Sequence, residues 1–161
     1  MSRARDLSSS EMPKALPATS ARDAPENLAI LLREPFRAIT DRLHRRLAER
    51  GHAQVRPAHG AVLQFLDDAG TRAGVLAERA GMTKQSMAEL VDHLEAHGYV
   101  ERIPDPADGR ARLVRATGRG REVFAIAREL VAEIDAELAA RMGPAKVSRL
   151  RALLAELDAA L

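Results

Sequence analysis

The chain has 161 residues, 46% apolar, 30% charged and 2% aromatic, with no Cys, no Trp and a net charge of +2. A chain of this length and apolar content buries one core, which excludes full disorder. The scarcity of aromatics beside abundant Ala, Leu and Arg favours helices over a β-sandwich. The absence of cysteine excludes a disulfide framework, a thiolate metal cluster, a cysteine nucleophile and a thiol redox sensor. No run of about 18 apolar residues is present, and the first residues lack the apolar core of a signal peptide, so a cytoplasmic protein without membrane contact is expected. Charge is unevenly spread. Residues 99–121 hold six Arg against three acids (+3), whereas 71–98 are net −1 and 122–161 net −2, so a polyanion is first sought at 99–121.

Residues 1–26 carry Ser, Pro, Ala and balanced charge without an apolar period, and are expected to form a disordered or loosely attached tail. From Asn27 the pattern turns helical, with Leu28, Leu32, Ile39, Leu43 and Leu47 at three- and four-residue steps up to a C-capping Gly51. Pro35 stands either in the first turn or at a kink in a longer helix. A second helix is expected from Pro57 to about Asp68, and a third, short one over Ala73–Ala80, led in by Thr71 or Arg72. Gly81-Met82 breaks the chain. Thr83 then caps a helix to about His97, with Met87, Leu90, Val91 and Leu94 as its apolar stripe. This is helix-turn-helix syntax.

Beyond Gly98 the period moves towards two. Tyr99–Ile103 and Arg112–Ala116 read as strands around a turn spanning Pro104 to Arg110. Thr117 caps a long helix to about Met142 with Val123, Ile126, Leu130, Ile134 and Leu138 in register. Gly143-Pro144 ends it before a last helix carrying Val147, Leu150, Leu153, Leu154, Leu157 and Leu161.

The helix opened by Thr83 has the width of a B-DNA major groove, and small polar residues start it. Gln85 can bond an adenine edge, Lys84 a guanine edge or a phosphate, and Thr83 or Ser86 a phosphate, although polar residues are common at any helix start. Arg110 and Arg112, two apart on one strand, share a face of a thin arm that suits a narrow, negative groove. Asp108 at the tip could hold Arg110 or Arg112 through a bidentate pair; the plainer alternative is a surface hairpin with a local ion pair.

The run Val75–Met87 (VLAERAGMTKQSM), then Leu90–Glu95 (LVDHLE), Gly98–Arg102 (GYVER) and the wing Asp105–Arg112 (DPADGRAR) resemble the winged helix-turn-helix of the MarR family of transcriptional regulators, and Ala116-Thr117 enters the next helix as in that family. The resemblance covers about residues 28–161. It implies a mainly α fold with a small β-hairpin wing: a winged unit at 71–117, flanked within a single domain at 27–161 by dimerisation helices at 27–50 and 118–161. By position, Thr83, Lys84, Gln85 and Ser86 match the start of the recognition helix, Arg110 the wing arginine that reaches the minor groove, and Asp108 its positioning acid. Ala88 and Glu89 depart from the family, which often has a hydroxyl or Arg there; Glu89 could accept from a cytosine amine.

The resemblance further implies a homodimer on a palindromic operator in double-stranded DNA, and a repressor released by a small aromatic or phenolic effector. A pocket between the first, second and fifth helices would place His44 or His59 near that effector, against the plainer reading of packing or surface histidines. The competing reading is a dimeric ligand-binding or protein-interaction module that keeps the fold without operator recognition. Gly118-Arg119-Gly120 begins like a dinucleotide fingerprint but has Val123 at the third glycine position. His93 and His97 could share a metal, yet are expected to be solvent-facing. No cofactor, metal or enzymatic activity is expected.

Overall fold

The computed structural model describes residues 27–161, so the tail expected at 1–26 lies outside the described residues. Helix α1, Leu28–Leu47, starts where the Asn27 side chain accepts the Ile30 N–H at 3.1 Å. Pro35 lies inside α1, well past its first turn. A widened turn, Ala48–His52, follows, and Gly51 closes the helical path in the left-handed region at φ 91°.

The second helix is shorter than expected. A 3₁₀ turn, Pro57–His59, leads into α2, Gly60–Leu63, which stops before Asp68. The reason is tertiary: Arg79 donates to the Phe65 carbonyl (2.9 Å) and to Asp67 (3.0 Å), while the Thr71 hydroxyl accepts the Asp67 N–H (2.9 Å). These partners lie beyond α2 and replace a continuing helical ladder.

Thr71–Arg72 form a short strand, β1, where only a helix lead-in was expected. Helix α3, Ala73–Arg79, and helix α4, Lys84–Ala96, flank the turn at Gly81; Thr83 caps α4 by accepting the Ser86 N–H at 3.1 Å. Strands β2, Val100–Asp105, and β3, Asp108–Ala116, are longer than expected. Their turn is only Pro106-Ala107, with a register irregularity at Pro104/Asp105, and Gly109 and Arg110 already belong to β3. An Asp followed by Pro is a favoured turn opening, and the irregularity lets such a tight connection match the strand twist. The antiparallel sheet has the order β1-β3-β2, with Thr71 opposite Val114 and Arg72 opposite Leu113.

Helix α5, Gly118–Met142, is capped by Thr117, whose hydroxyl accepts the Gly120 N–H (3.1 Å) and donates to the Gly98 carbonyl (2.6 Å). Helix α6, Pro144–Ala160, begins at the expected Gly143-Pro144 break. The core unites Leu47, Val62, Leu76, the α4 stripe Met87, Val91 and Leu94, then Tyr99, Val114, Val123 and Leu130. Arg46 of α1 bonds Glu137 (2.6 Å) and Glu133 (3.3 Å) of α5, and its hydrogen bond holds the Glu137 carboxyl below the usual range. No helix among the described residues is long and apolar enough to cross a membrane.

Under α4 lies a ladder of imidazoles, which corrects the expectation of solvent-facing His93 and His97. Both are half-buried, with rings 4.3 Å apart, and His93 stacks on His59 at 4.6 Å. A guanidinium only donates, so Nδ1 of His93 accepts from Arg56 (3.1 Å), and its Nε2–H donates to the Gln54 carbonyl (3.0 Å). Nδ1 of His59 accepts the Arg56 backbone N–H at 2.9 Å. With its Nδ1 accepting, the His59 ring is held neutral. Burial foremost, with the Arg56 charge beside it, pushes the His59 pKa down to about 4.

Two outcomes test this packing. A Cβ on Gly120 would overlap the Tyr99 carbonyl oxygen, whereas nothing crowds Gly118. Gly120→Ala therefore lowers the unfolding free energy by about 1–3 kcal/mol in urea titration, and Gly118→Ala does not. His59 is neutral in the fold but takes up a proton near its ordinary pKa when unfolded. Its stability contribution is thus complete above about pH 6.5 and declines as pH falls to about 4, by a few kcal/mol at most. Urea midpoints of His59→Gln should be flatter than wild type across that interval; equal slopes would refute the assignment.

Candidate nucleic-acid interface

Burial of Met87, Val91 and Leu94 turns the opposite face of α4 to solvent. Thr83, Lys84, Gln85, Ser86 and Glu89 are all exposed there. The Thr83 hydroxyl donates to Ser86 Oγ at 2.9 Å, so both small polar side chains are engaged in the cap itself. Gln85 donates to Glu89 one turn later at 3.4 Å, which sets an amide and a carboxylate side by side on this face. The first-turn amides add a partial positive charge at the same end.

Arg110 and Arg112 are exposed on β3, and their two-residue separation puts them on one face of the strand. The arginines closer to the sheet's root are neutralised locally: Arg102 bonds Asp92 (2.5 Å) and Glu95, and Arg115 bonds Glu101 (2.8 Å). Arg119 lies over the Tyr99 ring at 4.6 Å and donates to the His97 carbonyl. Among the described residues, by contrast, Lys84, Arg110 and Arg112 form no ion pair. Part of the excess charge anticipated for this segment therefore stands on the wing, at Arg110 and Arg112.

The expected bidentate pairing of Asp108 with Arg110 or Arg112 is not what the structure places there. Asp108 instead accepts the Arg110 backbone N–H at 3.1 Å, and its other oxygen lies 3.8 Å from Arg72. The reason is local. At the first residue after a tight turn, a short carboxylate reaches the amide two residues on more readily than a side chain pointing away. Arg72 and Asp105 were missed in the sequence. Asp105 is buried and accepts from Arg72 Nε (2.6 Å) and the Ala107 N–H (2.8 Å); the backbone amide first and then the guanidinium hold its carboxyl below the usual range.

His44 and His59 do not meet at one cavity. His44 is half-buried, donates from Nδ1 to the Thr40 carbonyl (2.8 Å) and lines a cleft of about 220 Å³ with Leu47, Val55, Leu63, Val123 and Phe124. His59 is not among its walls, because the Arg56 amide and the His93 ring hold it beneath α4. Among the described residues no three His, Cys, Asp or Glu side chains are grouped to hold a metal ion. Gly120, the middle of the apparent fingerprint, is a packing residue against Tyr99.

The profile of the MarR family matches residues 53–111, from the turn before α2 to the middle of β3. The transcriptional regulator HosA of Escherichia coli is 31% identical over 111 residues, 69% of this chain and 79% of that protein. A transcriptional regulator from Thermotoga maritima superposes with TM-score 0.58 at 30% identity, covering 82% of this chain and 92% of its own. The transcriptional repressor CouR, bound to a 23-mer DNA duplex, gives TM-score 0.66 at 26% identity, again over 82% of this chain and 92% of its own. With a capped helix and an arginine-bearing wing on one core, and a relative 31% identical that the chain covers over 79% of its length, the chain belongs to the MarR family of transcriptional regulators.

Proposed function

We propose that the chain acts as a homodimeric repressor that seats two copies of α4 in successive major grooves of a pseudo-palindromic site and lays each wing along the adjacent minor groove. One observation carries this: among the described residues, Lys84, Arg110 and Arg112 form no ion pair where the neighbouring Arg102 and Arg115 are paired. Lys84 and Gln85 would meet base edges, Ser86 the backbone, and Arg110 and Arg112 the narrow groove. The neighbouring CouR structure, a repressor on DNA, supports the same use of the fold.

Pairing of two chains accounts for the apolar faces left open at both ends. Leu28, Leu31, Phe36 and Ile39 of α1 and Leu150, Leu153 and Leu154 of α6 are exposed, Phe36 to 72%. Such a contiguous patch is costly in water and marks an interface. A two-fold dimer built there would set the recognition helices about 34 Å apart for a palindrome. The cleft at His44, mostly apolar and between α1, α2 and α5, suits a small aromatic or phenolic effector. An effector that binds better when the recognition helices are differently spaced lowers DNA affinity by linkage. The tail at 1–26 has no part in this reading, and the cytoplasm is the expected compartment.

A second reading, a dimeric ligand-binding or interaction module without operator recognition, is favoured by Glu89, whose carboxylate sits on the reading face beside Gln85. Selection of bound fragments from genomic DNA, followed by salt titration, separates the two. A regulator selects discrete palindromes and its log affinity falls linearly with log salt; a retired module does neither. On the selected site, Arg110→Ala should weaken binding to all sequences and reduce the salt slope by about one. Gln85→Ala should instead cost about 1–3 kcal/mol at a single base pair; uniform loss on every sequence would refute its reading role.

A further inference from the structure

We infer that Arg72 and Asp105 are positioning residues for the wing arginine Arg110, fixing where it stands relative to the recognition helix; this rests on the reading of the wing as a DNA contact. Arg72 ends β1, immediately before α3, and so belongs to the helix-turn-helix unit. Its Nε and Nη2 both reach Oδ2 of Asp105, at 2.6 and 2.5 Å. Oδ1 of Asp105 accepts the Ala107 N–H of the wing turn at 2.8 Å. Arg72 Nη2 also lies 3.8 Å from Asp108, whose other oxygen holds the Arg110 N–H. A continuous polar relay thus runs from the root of α3 through the turn to the backbone of Arg110.

The pairing of the sheet places this relay. Arg72 stands opposite Leu113 and Leu113 opposite Ile103, so Asp105, two residues beyond Ile103, falls on the face of Arg72, where its side chain is 8% exposed. A carboxylate so placed requires a cation partner, and a guanidinium supplies two donors in a fixed fork. Beyond β1 the wing is a two-stranded ribbon, which by itself holds its tip loosely. An arginine on such a ribbon loses affinity to the entropy of ordering unless its backbone is set beforehand.

A double-mutant cycle tests the assignment. Duplex binding is measured by fluorescence anisotropy for wild type, Arg72→Gln, Arg72→Lys, Asp105→Asn, Arg110→Ala and the doubles with Arg110→Ala, with melting temperatures recorded alongside. Arg72→Gln and Asp105→Asn should each weaken binding by about tenfold, and by less than about twofold once Arg110 is already Ala. Arg72→Lys keeps the charge but not the fork, and should behave like Arg72→Gln. In hydrogen exchange, the Arg110 amide should lose protection in Arg72→Gln while the α4 amides keep theirs, a separation that general destabilisation would not produce. Losses that multiply in the doubles, or an Arg72→Lys protein with wild-type affinity, would mean that Arg72 meets phosphate directly and would overturn the positioning role alone. Should Asp105→Asn fail to fold, the Arg72 variants decide the matter. A wild-type protein that binds no duplex overturns the reading of the wing, and this inference with it.

Discussion

Burial of one stripe of α4 is the constraint from which the interface follows. Met87, Val91 and Leu94 recur at helical spacing, and placing all three in the core leaves the helix only one rotation about its axis. That rotation carries Lys84, Gln85 and Glu89 outward. The Thr83 cap then fixes where the first turn begins, and so where its unpaired amides stand. Core and interface are two faces of a single periodic pattern, and a change in register of that stripe would lose both.

The electrostatics divide the arginines into two kinds. Several of those packed near helices or at the sheet's root are matched with acids: Arg46 with Glu137, Arg79 with Asp67, Arg102 with Asp92 and Arg115 with Glu101. Exposed pairs of this type contribute little stability each. Their larger effect is to cancel positive potential away from the wing. A chain with a net charge of only +2 thereby presents a locally basic arm, which its overall charge understates.

Much of this organisation was legible because its signals are local. Thr83, Thr117 and Gly143-Pro144 are caps and breaks whose chemistry acts within a turn of the chain, and the apolar stripes of α4 and α5 announce their own periodicity. What stayed hidden depends on partners far along the chain. β1 is too short to show alternation and exists because Val114 and Leu113 pair with it. The second helix stops early because Arg79 and Thr71 take its hydrogen bonds. In the interface, the types and positions of Gln85, Arg110 and Asp108 could be read, but the partner of Asp108 could not. The burial of Asp105 was likewise invisible, since it depends on Arg72, 33 residues earlier in the chain. His93 gave no sign that His59 and Arg56, more than 30 residues earlier, would be its neighbours.

The seam at Gly120 has a mechanical meaning. There α5 touches the Tyr99 carbonyl with no side chain between, while the Thr117 hydroxyl clasps the Gly98 carbonyl. The 25 residues of α5 make a rod about 37 Å long, seated at this end on the root of the wing and tied further along to α1 through Glu133 and Glu137. A rod held at both places moves as one piece with α1. A tilt of only a few degrees of that piece corresponds to a sweep of a few ångströms at the far end, where α5 gives way to α6.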